Sequence, residues 1–287
     1  LQDSVTPVPF EKARAVVEEE LELTLEQLYL DFEETPIAAA SIGQVHRATL
    51  PNGRRVVVKV QRPNAPRQIE ADLELMYQLA RLARERVRAL EFIDTVAVVD
   101  EFARSIRQEL DYRIEARNAE QFHRNFAGYP HVRVPRVYWS YSRSRVLTLE
   151  LLEGVQVRDL DTEKYTMAER RQVSYRIAET WMAMIFRHGF FHADPHPANI
   201  LVLEELDQIG LVDFGTAGQL APDDSSRLTG LFIEVVNQNV EAIPRRLASL
   251  GVRYPKEREE EFVAELRTIF DRYYGASLAE IDPIQVI

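Results

Sequence analysis

The 287-residue chain contains no cysteine, which excludes disulfide bonds and thiolate metal sites. No stretch of it approaches the roughly 18 consecutive apolar residues that a membrane-spanning helix needs. Positive charge is also scarce, because 35 lysines and arginines stand against 46 aspartates and glutamates, giving a net charge of −11. Nucleic-acid-binding proteins usually carry the opposite balance. We therefore expect no nucleic-acid partner.

The remaining composition is that of an ordinary globular protein, with 46% hydrophobic and 28% charged residues. A chain of this length can bury a large core. Its first residue is Leu1 rather than methionine, and no charged-then-apolar leader follows. We therefore expect the chain to be a soluble piece of a longer protein.

The hydrophobic pattern of the first half predicts an antiparallel sheet with inserted helices. Residues 42–61 alternate small and β-branched residues around the turn Pro51-Asn52-Gly53, which predicts a hairpin. Residues 131–154 predict two further strands that form a second hairpin. Helical spacing predicts helices at about 69–88 and 94–126, between the two hairpins.

The second half is predicted to be mainly helical, with helices at about 167–188, 223–250 and 257–275. The two patterns together predict a two-lobed α+β fold. Its sheet-bearing N-lobe would span residues 1–152, and its helical C-lobe would span residues 153–287. Because clefts between lobes favour small molecules, a ligand site is expected near their junction.

Lys59 lies in the apolar strand VVVKV, where a lysine is costly to bury unless it is paired. The alternative is a lysine on the solvent face of an edge strand. A strand lysine that follows a loop of small residues is the arrangement that grips nucleotide phosphates in kinases. The small residues could instead pack beneath the sheet. They are Ala38, Ala39, Ala40 and Ser41.

Acidic candidates follow on the second predicted helix, at Glu109, Asp111 and Glu115. One of these glutamates could reach Lys59 and orient it, as a helix glutamate does in kinases. Acidic residues on a charged helix usually face solvent, which is the alternative for all three.

The segment HADPHPAN, residues 192–199, has the form of a kinase catalytic loop. In that loop an aspartate receives the proton of the acceptor, and an asparagine five residues later binds magnesium. Asp194 and Asn199 have this spacing. The alternative is a metal site made of His192, Asp194 and His196 at alternate positions, which leaves Asn199 unexplained.

Asp213 opens an Asp-Phe-Gly triplet after the apolar run IGLV. Two short predicted strands separate it from Asn199, which is the context of the second magnesium ligand in kinases. Lys59, an acidic helix, the catalytic loop and Asp213 thus occur in kinase order. Together they predict a kinase-like nucleotide site.

The sequence resembles the UbiB family of atypical kinases, also called aarF-domain or ADCK-type proteins, over nearly its whole length. The resemblance implies that the alanine-rich loop 38–41 replaces the usual glycine-rich phosphate loop. It also implies that Glu109 and Asp111 form the family's Glu-x-Asp motif and that Glu115 is the glutamate paired with Lys59. The segments that carry the resemblance are AAASIGQVHRA, VVVKVQRP, ELDYRIEARNAEQF, FHADPHPANIL and LVDFGTAG.

The resemblance further implies a protein-kinase-like fold that binds ATP or ADP with Mg²⁺. It implies a link to isoprenoid quinone or lipid metabolism, so a lipid or quinone precursor is an expected ligand beside the nucleotide. The family's Lys-x-Gly-Gln motif and the C-terminal membrane helices of many bacterial members are absent from this sequence. We therefore expect the full-length protein on the cytoplasmic side of a membrane, attached through segments that this chain lacks.

Two functions follow from these motifs. The first is an Mg²⁺-dependent phosphotransferase or ATPase, in which Lys59 holds the α- and β-phosphates and Asp194 positions or deprotonates the acceptor. In this hypothesis the adenine contacts backbone groups around Glu150–Leu152. The second is a catalytically weak nucleotide-binding scaffold that changes conformation without turnover. No Ala-Pro-Glu motif follows Asp213, which argues against a protein as the acceptor.

Overall fold

The computed structural model describes residues 6–86, 94–161, 163–203 and 208–273. No helix within these ranges is long and apolar enough to cross a membrane.

The chain forms two compact units. The first comprises Leu1–Trp181 with His192–Gly218, and the second comprises Met182–Phe191 with Gln219–Ile287. Every candidate site residue belongs to the first unit. The lobe boundary predicted after residue 152 falls inside the first unit, and the division at that residue stays a prediction.

The first unit begins with helices and continues into a sheet. Its early elements are α1 (Phe10–Leu21), α2 (Leu25–Leu28), β1 (Asp31–Phe32), β2 (Ala38–Ala39), β3 (Gly43–Thr49) and β4 (Arg55–Gln61). They are followed by α3 (Ala65–Arg86), α4 (Thr95–Glu109), α5 (Tyr112–Asn125), β5 (Val132–Arg133), β6 (Val146–Glu150), β7 (Gly154–Gln156) and α6 (Met167–Met182). After β8 (Phe190–His192) come β9 (Ile200–Leu203), β10 (Ile209–Leu211) and β11 (Ala217–Gln219).

The main sheet has the antiparallel order β1-β3-β4-β6, and β2 pairs with β3 at its edge. Side chains alternate across a strand, so Val56, Val58 and Val60 share one face of β4. All three are buried against α1. Lys59 lies on the opposite face of β4, which has strands on both sides. The edge-strand alternative for Lys59 is therefore wrong.

A second sheet, ordered β5-β10-β9-β7, carries the later motifs. Strands β9 and β10 form the two short runs predicted between Asn199 and Asp213 and pair antiparallel. The second predicted hairpin is wrong in part, because β5 pairs in parallel with β10 instead of with β6. The two segments still pair over a short stretch after β5, through an antiparallel bridge between Val137 and Leu149. The amide of Tyr138 donates to the carbonyl of Thr148, and the amide of Glu150 donates to the carbonyl of Arg136, both at 2.9 Å.

The helix predicted over 94–126 is interrupted and forms α4 and α5. Asp111 is the N-cap of α5, and its carboxylate accepts a hydrogen bond from the amide of Arg113 at 3.1 Å. Tertiary contacts hold the break, because Gln61 Nε2 donates to the carbonyl of Leu110 at 2.8 Å. The amide of Tyr112 also donates to the carbonyl of Ser144 at 2.9 Å. This break sets the direction in which α5 presents its acidic residues.

The described part of the second unit is mainly helical. The π-helical turn Ala183–His188 contacts a later helix through Phe186 and Phe232, whose ring centroids lie 5.0 Å apart. The helix predicted over 223–250 is two helices, with Gln238 in the left-handed region (φ 56°) between them. The helices of this unit are α7 (Pro222–Val236), α8 (Ile243–Ser249) and α9 (Glu259–Tyr273).

We predict that Gly43→Ala destabilises the fold. A Cβ at Gly43 would overlap the hydroxyl of Tyr112 and lie 2.9 Å from the carbonyl oxygen of Val60. Because both neighbours are buried, overpacking should lower the free energy of unfolding by about 1–3 kcal/mol. Urea denaturation measures the change.

The matched control is Gly128→Ala, because a Cβ at Gly128 meets no atom within 4 Å. Its free energy of unfolding should stay within about 0.5 kcal/mol of the original chain. Equal urea midpoints for the two variants would contradict the close packing at Gly43.

Candidate functional site

Lys59 and Glu115 form a buried ion pair. The ammonium Nζ lies 3.0 Å from Glu115 Oε1 and 2.8 Å from Oε2. The side chain of Glu115 is 6% exposed and that of Lys59 is 20% exposed. The ammonium also lies 5.3 Å from the centroid of the Tyr112 ring, within cation–π range. The structure thus brings together the two residues that the resemblance paired.

Asp213 completes a three-residue cluster, with its Oδ1 3.5 Å from Lys59 Nζ. Its side chain is 42% exposed, so solvent or a ligand can reach the carboxylate. Its backbone lies in the left-handed region (φ 59°), and its Oδ1 accepts the amide of Gly215 at 3.3 Å. Non-glycine residues in that region often mark functional sites.

Phe214 anchors the triplet beside the cluster. Its ring is fully buried and packs 5.4 Å from the ring of Phe122 on α5. Its carbonyl accepts a hydrogen bond from Asn118 Nδ2, also on α5, at 2.9 Å. Helix α5 therefore holds both Glu115 and the triplet.

The charges of the cluster depend on one another. Burial alone would lower the pKa of Lys59, but the carboxylates of Asp213 and Glu115 raise it above its usual value. The Lys59 ammonium lowers the pKa of Asp213 against the opposing effect of burial. Asp213 is therefore ionised at neutral pH, which is the state that binds a metal cation.

The catalytic-loop residues Asp194 and Asn199 contact each other directly. Asn199 is buried, and its Nδ2 donates to Asp194 Oδ2 at 2.9 Å and to the Asp194 carbonyl at 3.3 Å. The carbonyl of Asn199 accepts the amide of Val212, the residue before Asp213, at 3.0 Å. The pairing of β9 with β10 thus ties the two predicted magnesium ligands to adjacent strands.

The histidines of this loop make backbone contacts. Nδ1 of the buried His192 accepts the amide of Asp194 at 3.2 Å, and Nδ1 of His196 accepts the amide of Ala198 at 3.2 Å. Within the described ranges, no group of three histidine or acidic residues could hold a metal ion. The metal-site alternative built on His192, Asp194 and His196 therefore has no support in the described residues.

The alanine-rich loop is a tight hairpin. Ala38 and Ala39 pair with β3, and the amide of Ala40 donates to the carbonyl of Gly43 at 2.8 Å. Arg62 Nε donates to the carbonyl of Ala40 at 2.9 Å and ties the loop to the end of β4. Ala38 is exposed, and Ala39 and Ala40 are half-buried. The alanines are thus not packed beneath the sheet.

The Glu-x-Asp residues separate in the structure. Asp111 caps α5, and Arg113 donates to its carboxylate at 2.8 Å, which lowers the pKa of Asp111. Glu109 is half-buried at the end of α4, where burial and then the charge of Asp213 raise its pKa. Glu109 therefore interacts electrostatically with Asp213 of the cluster, whereas Asp111 contacts Arg113 on its own helix.

The predicted adenine segment lies between β6 and β7. Glu150 ends β6, and its Oε2 accepts the amide of Arg136 at 3.2 Å while its Oε1 lies 3.4 Å from Arg133 Nη2. Leu152 follows in the irregular stretch and packs close to Gly210. The carboxylate of Glu150 thus serves the sheet, and its amide donates to the carbonyl of Arg136 at 2.9 Å. The amide of Leu151 donates to the carbonyl of Arg55 at 3.2 Å, so the candidates for base contacts are the carbonyls of this segment and the amide of Leu152.

Tyr112 is a site residue that the motif analysis missed. Its ring is 1% exposed beside Lys59, and burial raises its pKa above the usual range. The available signal was an aromatic residue three positions before Glu115, at the start of a helix. Such a position also fits an ordinary core residue.

Comparison with known proteins identifies the family. The ABC1 atypical kinase-like domain matches residues 1–247. The chain belongs to this family. The UbiB resemblance is confirmed, because a probable protein kinase UbiB of Marinobacter nauticus is 36% identical over 284 residues. That alignment covers 98% of this chain and 52% of the relative.

Two further proteins are similar to this chain over most of its length. ACTIVITY OF BC1 COMPLEX KINASE 7, a chloroplastic protein of Arabidopsis thaliana, is 40% identical over 255 residues, covering 89% of this chain and 36% of its own. The structure of Rv3197 with erythromycin, from Mycobacterium tuberculosis, has a TM-score of 0.74 and 27% identity over 93% of this chain and 66% of that chain. The predicted kinase-like α+β fold is confirmed. This ABC1-family chain spans about half or less of the curated relatives' length.

We predict strong coupling between Lys59 and Glu115 in a double-mutant cycle of Lys59→Met and Glu115→Leu. Each single change removes one partner from the buried pair and should cost about 3–5 kcal/mol of unfolding free energy. Lys59→Met should lower the free energy of unfolding more, because it leaves the carboxylates of Glu115 and Asp213 without their cation. In Glu115→Leu the ammonium keeps its contact with Asp213. The double variant should cost less than the two single costs added together.

The control cycle uses Arg107 and Glu70, which are 2.8 Å apart with side chains 49% and 53% exposed. Their coupling should stay below about 1 kcal/mol because water screens the pair. Urea unfolding gives both coupling energies. Equal values would show that Lys59 and Glu115 are not a desolvated pair.

Proposed function

We propose that this ABC1-family chain binds ATP or ADP with Mg²⁺ and transfers the terminal phosphoryl group of ATP to a small acceptor or to water. The observation that carries the proposal is the placement of one buried ammonium, Lys59, between Glu115 and Asp213. Kinases use this lysine–glutamate pair to bind nucleotide phosphates. The match to an atypical kinase-like domain supports the same assignment.

In this proposal Lys59 binds the α- and β-phosphates. Glu115 contacts the ammonium with both carboxylate oxygens, at 2.8 and 3.0 Å, and so fixes its position. The Asp213 contact at 3.5 Å is weaker, which leaves that carboxylate available to a metal.

The donor set fits magnesium, which prefers oxygen ligands and often takes only one or two from the protein beside substrate phosphates. Asn199 Nδ2 donates its hydrogen bonds to Asp194, so Asn199 Oδ1 is the side-chain atom that can bind a metal. The ionised carboxylate of Asp213 is the second ligand. When bound, Mg²⁺ neutralises charge on the phosphates.

Asp194 is the proposed base. Asn199 binds its Oδ2, so Oδ1 is left to accept a proton from the acceptor. As the acceptor oxygen bonds to the γ-phosphorus, its proton passes to Asp194 and the bond from the γ-phosphorus to the bridging oxygen breaks. ADP is the leaving group, so atoms and charge balance.

The remaining predicted contacts concern the nucleotide. Backbone groups from Glu150 to Leu152 would bind adenine, and the loop of Ala38, Ala39, Ala40 and Ser41 would face the phosphates. The amide of Ala40 already binds Gly43. The amide of Ser41 therefore becomes the loop's candidate donor to phosphate.

The acceptor and the cellular context rest on the family resemblance. We propose a lipid or a quinone precursor as the acceptor or regulator, and attachment of the full-length protein to the cytoplasmic face of a membrane through segments outside this chain. The alternative function is a nucleotide-binding scaffold with little turnover. The intact set of Asp194, Asn199 and Asp213 favours turnover.

We predict that Asp194→Asn abolishes turnover but not nucleotide binding. Loss of a general base should lower the rate of phosphate release from ATP by about 10²–10⁴-fold. Nucleotide affinity should change little, because Asp194 is assigned to the acceptor and not to the phosphates. Phosphate release and calorimetric ATP titration measure the two quantities.

Asp72→Asn on the exposed surface of α3 makes the same change of charge and should leave both quantities unchanged. Release of phosphate at the same slow rate by the original chain and by Asp194→Asn, while both bind ATP, would contradict the proposed phosphoryl transfer. That result would favour the nucleotide-binding scaffold.

We also predict that nucleotide stabilises the chain strongly only with Mg²⁺ or Mn²⁺. At a ligand concentration of 100 Kd the gain in unfolding free energy should be about 2.7 kcal/mol. Asp213→Ala should remove most of the metal-dependent part of this gain, whereas Asp72→Asn should keep it. Thermal unfolding with ATP, with and without the metal, measures the effect. An equal shift by ATP in the presence of EDTA would contradict the magnesium site.

A further inference from the structure

A cavity of about 940 Å³ lies in the first unit and shares no residue with the Lys59 cluster. Its most unusual feature is a set of arginines in a chain whose net charge is −11. They come from the turn before β4, the first residue of β4, the end of β5 and the segment after β5. The four are Arg54, Arg55, Arg133 and Arg136.

Two of the four arginines have acidic partners. Arg55 binds Glu153, and Arg133 Nη2 lies 3.4 Å from Glu150 Oε1. Among the described residues, the guanidinium groups of Arg54 and Arg136 have no ion-pair or hydrogen-bond partner. The described lining contains one carboxylate, that of Glu150. The cavity therefore presents two uncompensated positive charges.

Apolar residues also line the cavity. Phe126, Val132 and Val134 are buried there, and the ring of Tyr129 packs edge-on against Phe126 with centroids 4.9 Å apart. The side chain of Tyr138 also lines the cavity. A ligand in this cavity would thus meet both guanidinium groups and apolar side chains.

We propose that this cavity binds a small molecule that carries a phosphate group on an aromatic or aliphatic body. Guanidinium groups bind phosphate oxygens through paired N–H donors, and a phosphomonoester carries a charge of about −1.5 to −2 at pH 7. That charge nearly balances the charges of Arg54 and Arg136, whereas a ligand with one carboxylate would carry only one negative charge. The volume lies in the range of small-molecule sites, of about 300–1,000 Å³, and exceeds what phosphate alone would fill.

A small ligand fits better than a polymer. A nucleic acid or an acidic protein would bring many negative charges close to a chain that is itself strongly acidic. A phosphorylated small molecule places its charge against the arginines alone. Glu150 and Leu151 line the cavity and also belong to the proposed adenine segment. The proposal does not depend on nucleotide binding, because none of its four arginines belongs to the Lys59 cluster.

The test is binding of phenyl phosphate to the chain without nucleotide, measured by calorimetry. The double variant Arg54→Gln with Arg136→Gln should lose about tenfold or more in affinity, since two charge-assisted contacts are removed. Lys59→Ala, first shown to be folded by circular dichroism, should bind phenyl phosphate as the original chain does. The matched control is Arg171→Gln with Arg253→Gln, two exposed positions with the same change of net charge, and it should also bind normally.

Failure of this proposal is distinguishable from failure of the nucleotide site. No binding of phenyl phosphate, or equal binding by the Arg54/Arg136 variant, overturns the cavity proposal. Loss of binding in Lys59→Ala alone also overturns it, because the phosphate would then occupy the nucleotide site. Calorimetry with benzyl alcohol, which lacks the phosphate, should give no binding, and binding of equal strength would overturn the role of the charge.

Two further arms separate the sources of such a ligand. Vesicles containing phosphatidate are compared with vesicles of phosphatidylcholine alone, using the original chain and the Arg54/Arg136 variant. Phosphatidate-dependent binding that the variant loses supports the cavity and assigns its ligand to a lipid headgroup. Binding of phenyl phosphate without vesicle binding supports the cavity and assigns its ligand to the soluble phase.

Discussion

Burial of the Lys59 ammonium is the constraint on which the candidate site depends. A lysine inside a sheet with strands on both sides is stable only if carboxylates and a ring replace its water. Glu115 and Tyr112 on α5 and Asp213 after β10 do so. The need to pair one charge therefore holds α5 and the segment after β10 in place beside the sheet.

Helix α5 connects this pairing to the rest of the first unit. Its N-cap, Asp111, and the bond from Gln61 to Leu110 set where it begins. Along its length it then presents Glu115 to Lys59, Asn118 to the carbonyl of Phe214, and Phe122 to the Phe214 ring. One helix thus sets the position of both charged partners of the lysine.

Charge is distributed unevenly over this acidic chain. Near Lys59, carboxylates outnumber the ammonium, which suits a metal cation and its nucleotide. Near Arg54 and Arg136, guanidinium groups outnumber carboxylates, which suits a phosphorylated small molecule. Glu150 borders both regions, since it lines the arginine cavity and ends the strand before the proposed adenine segment. Net charge alone does not describe either site.

The sequence by itself determined the α+β class, the hairpin around Gly53, the family and the spacing of Asp194, Asn199 and Asp213. These features depend on local periodicity, turn chemistry and short motifs, which neighbouring residues encode. The same local signals missed the break at Leu110, because a helical pattern runs through it.

Only the tertiary structure gave the physical reason why Glu115, which the family resemblance had named, meets the lysine. From the residue pattern, Glu109, Asp111 and Glu115 were equivalent candidates, but the break turns Asp111 into a cap and directs Glu115 to Lys59. The arginine cavity was likewise invisible in the sequence. Arg54 and Arg136 are far apart in the chain, and they line the same cavity because the end of β6 is bonded to both segments. The amide of Glu150 donates to the carbonyl of Arg136, and the amide of Leu151 donates to the carbonyl of Arg55.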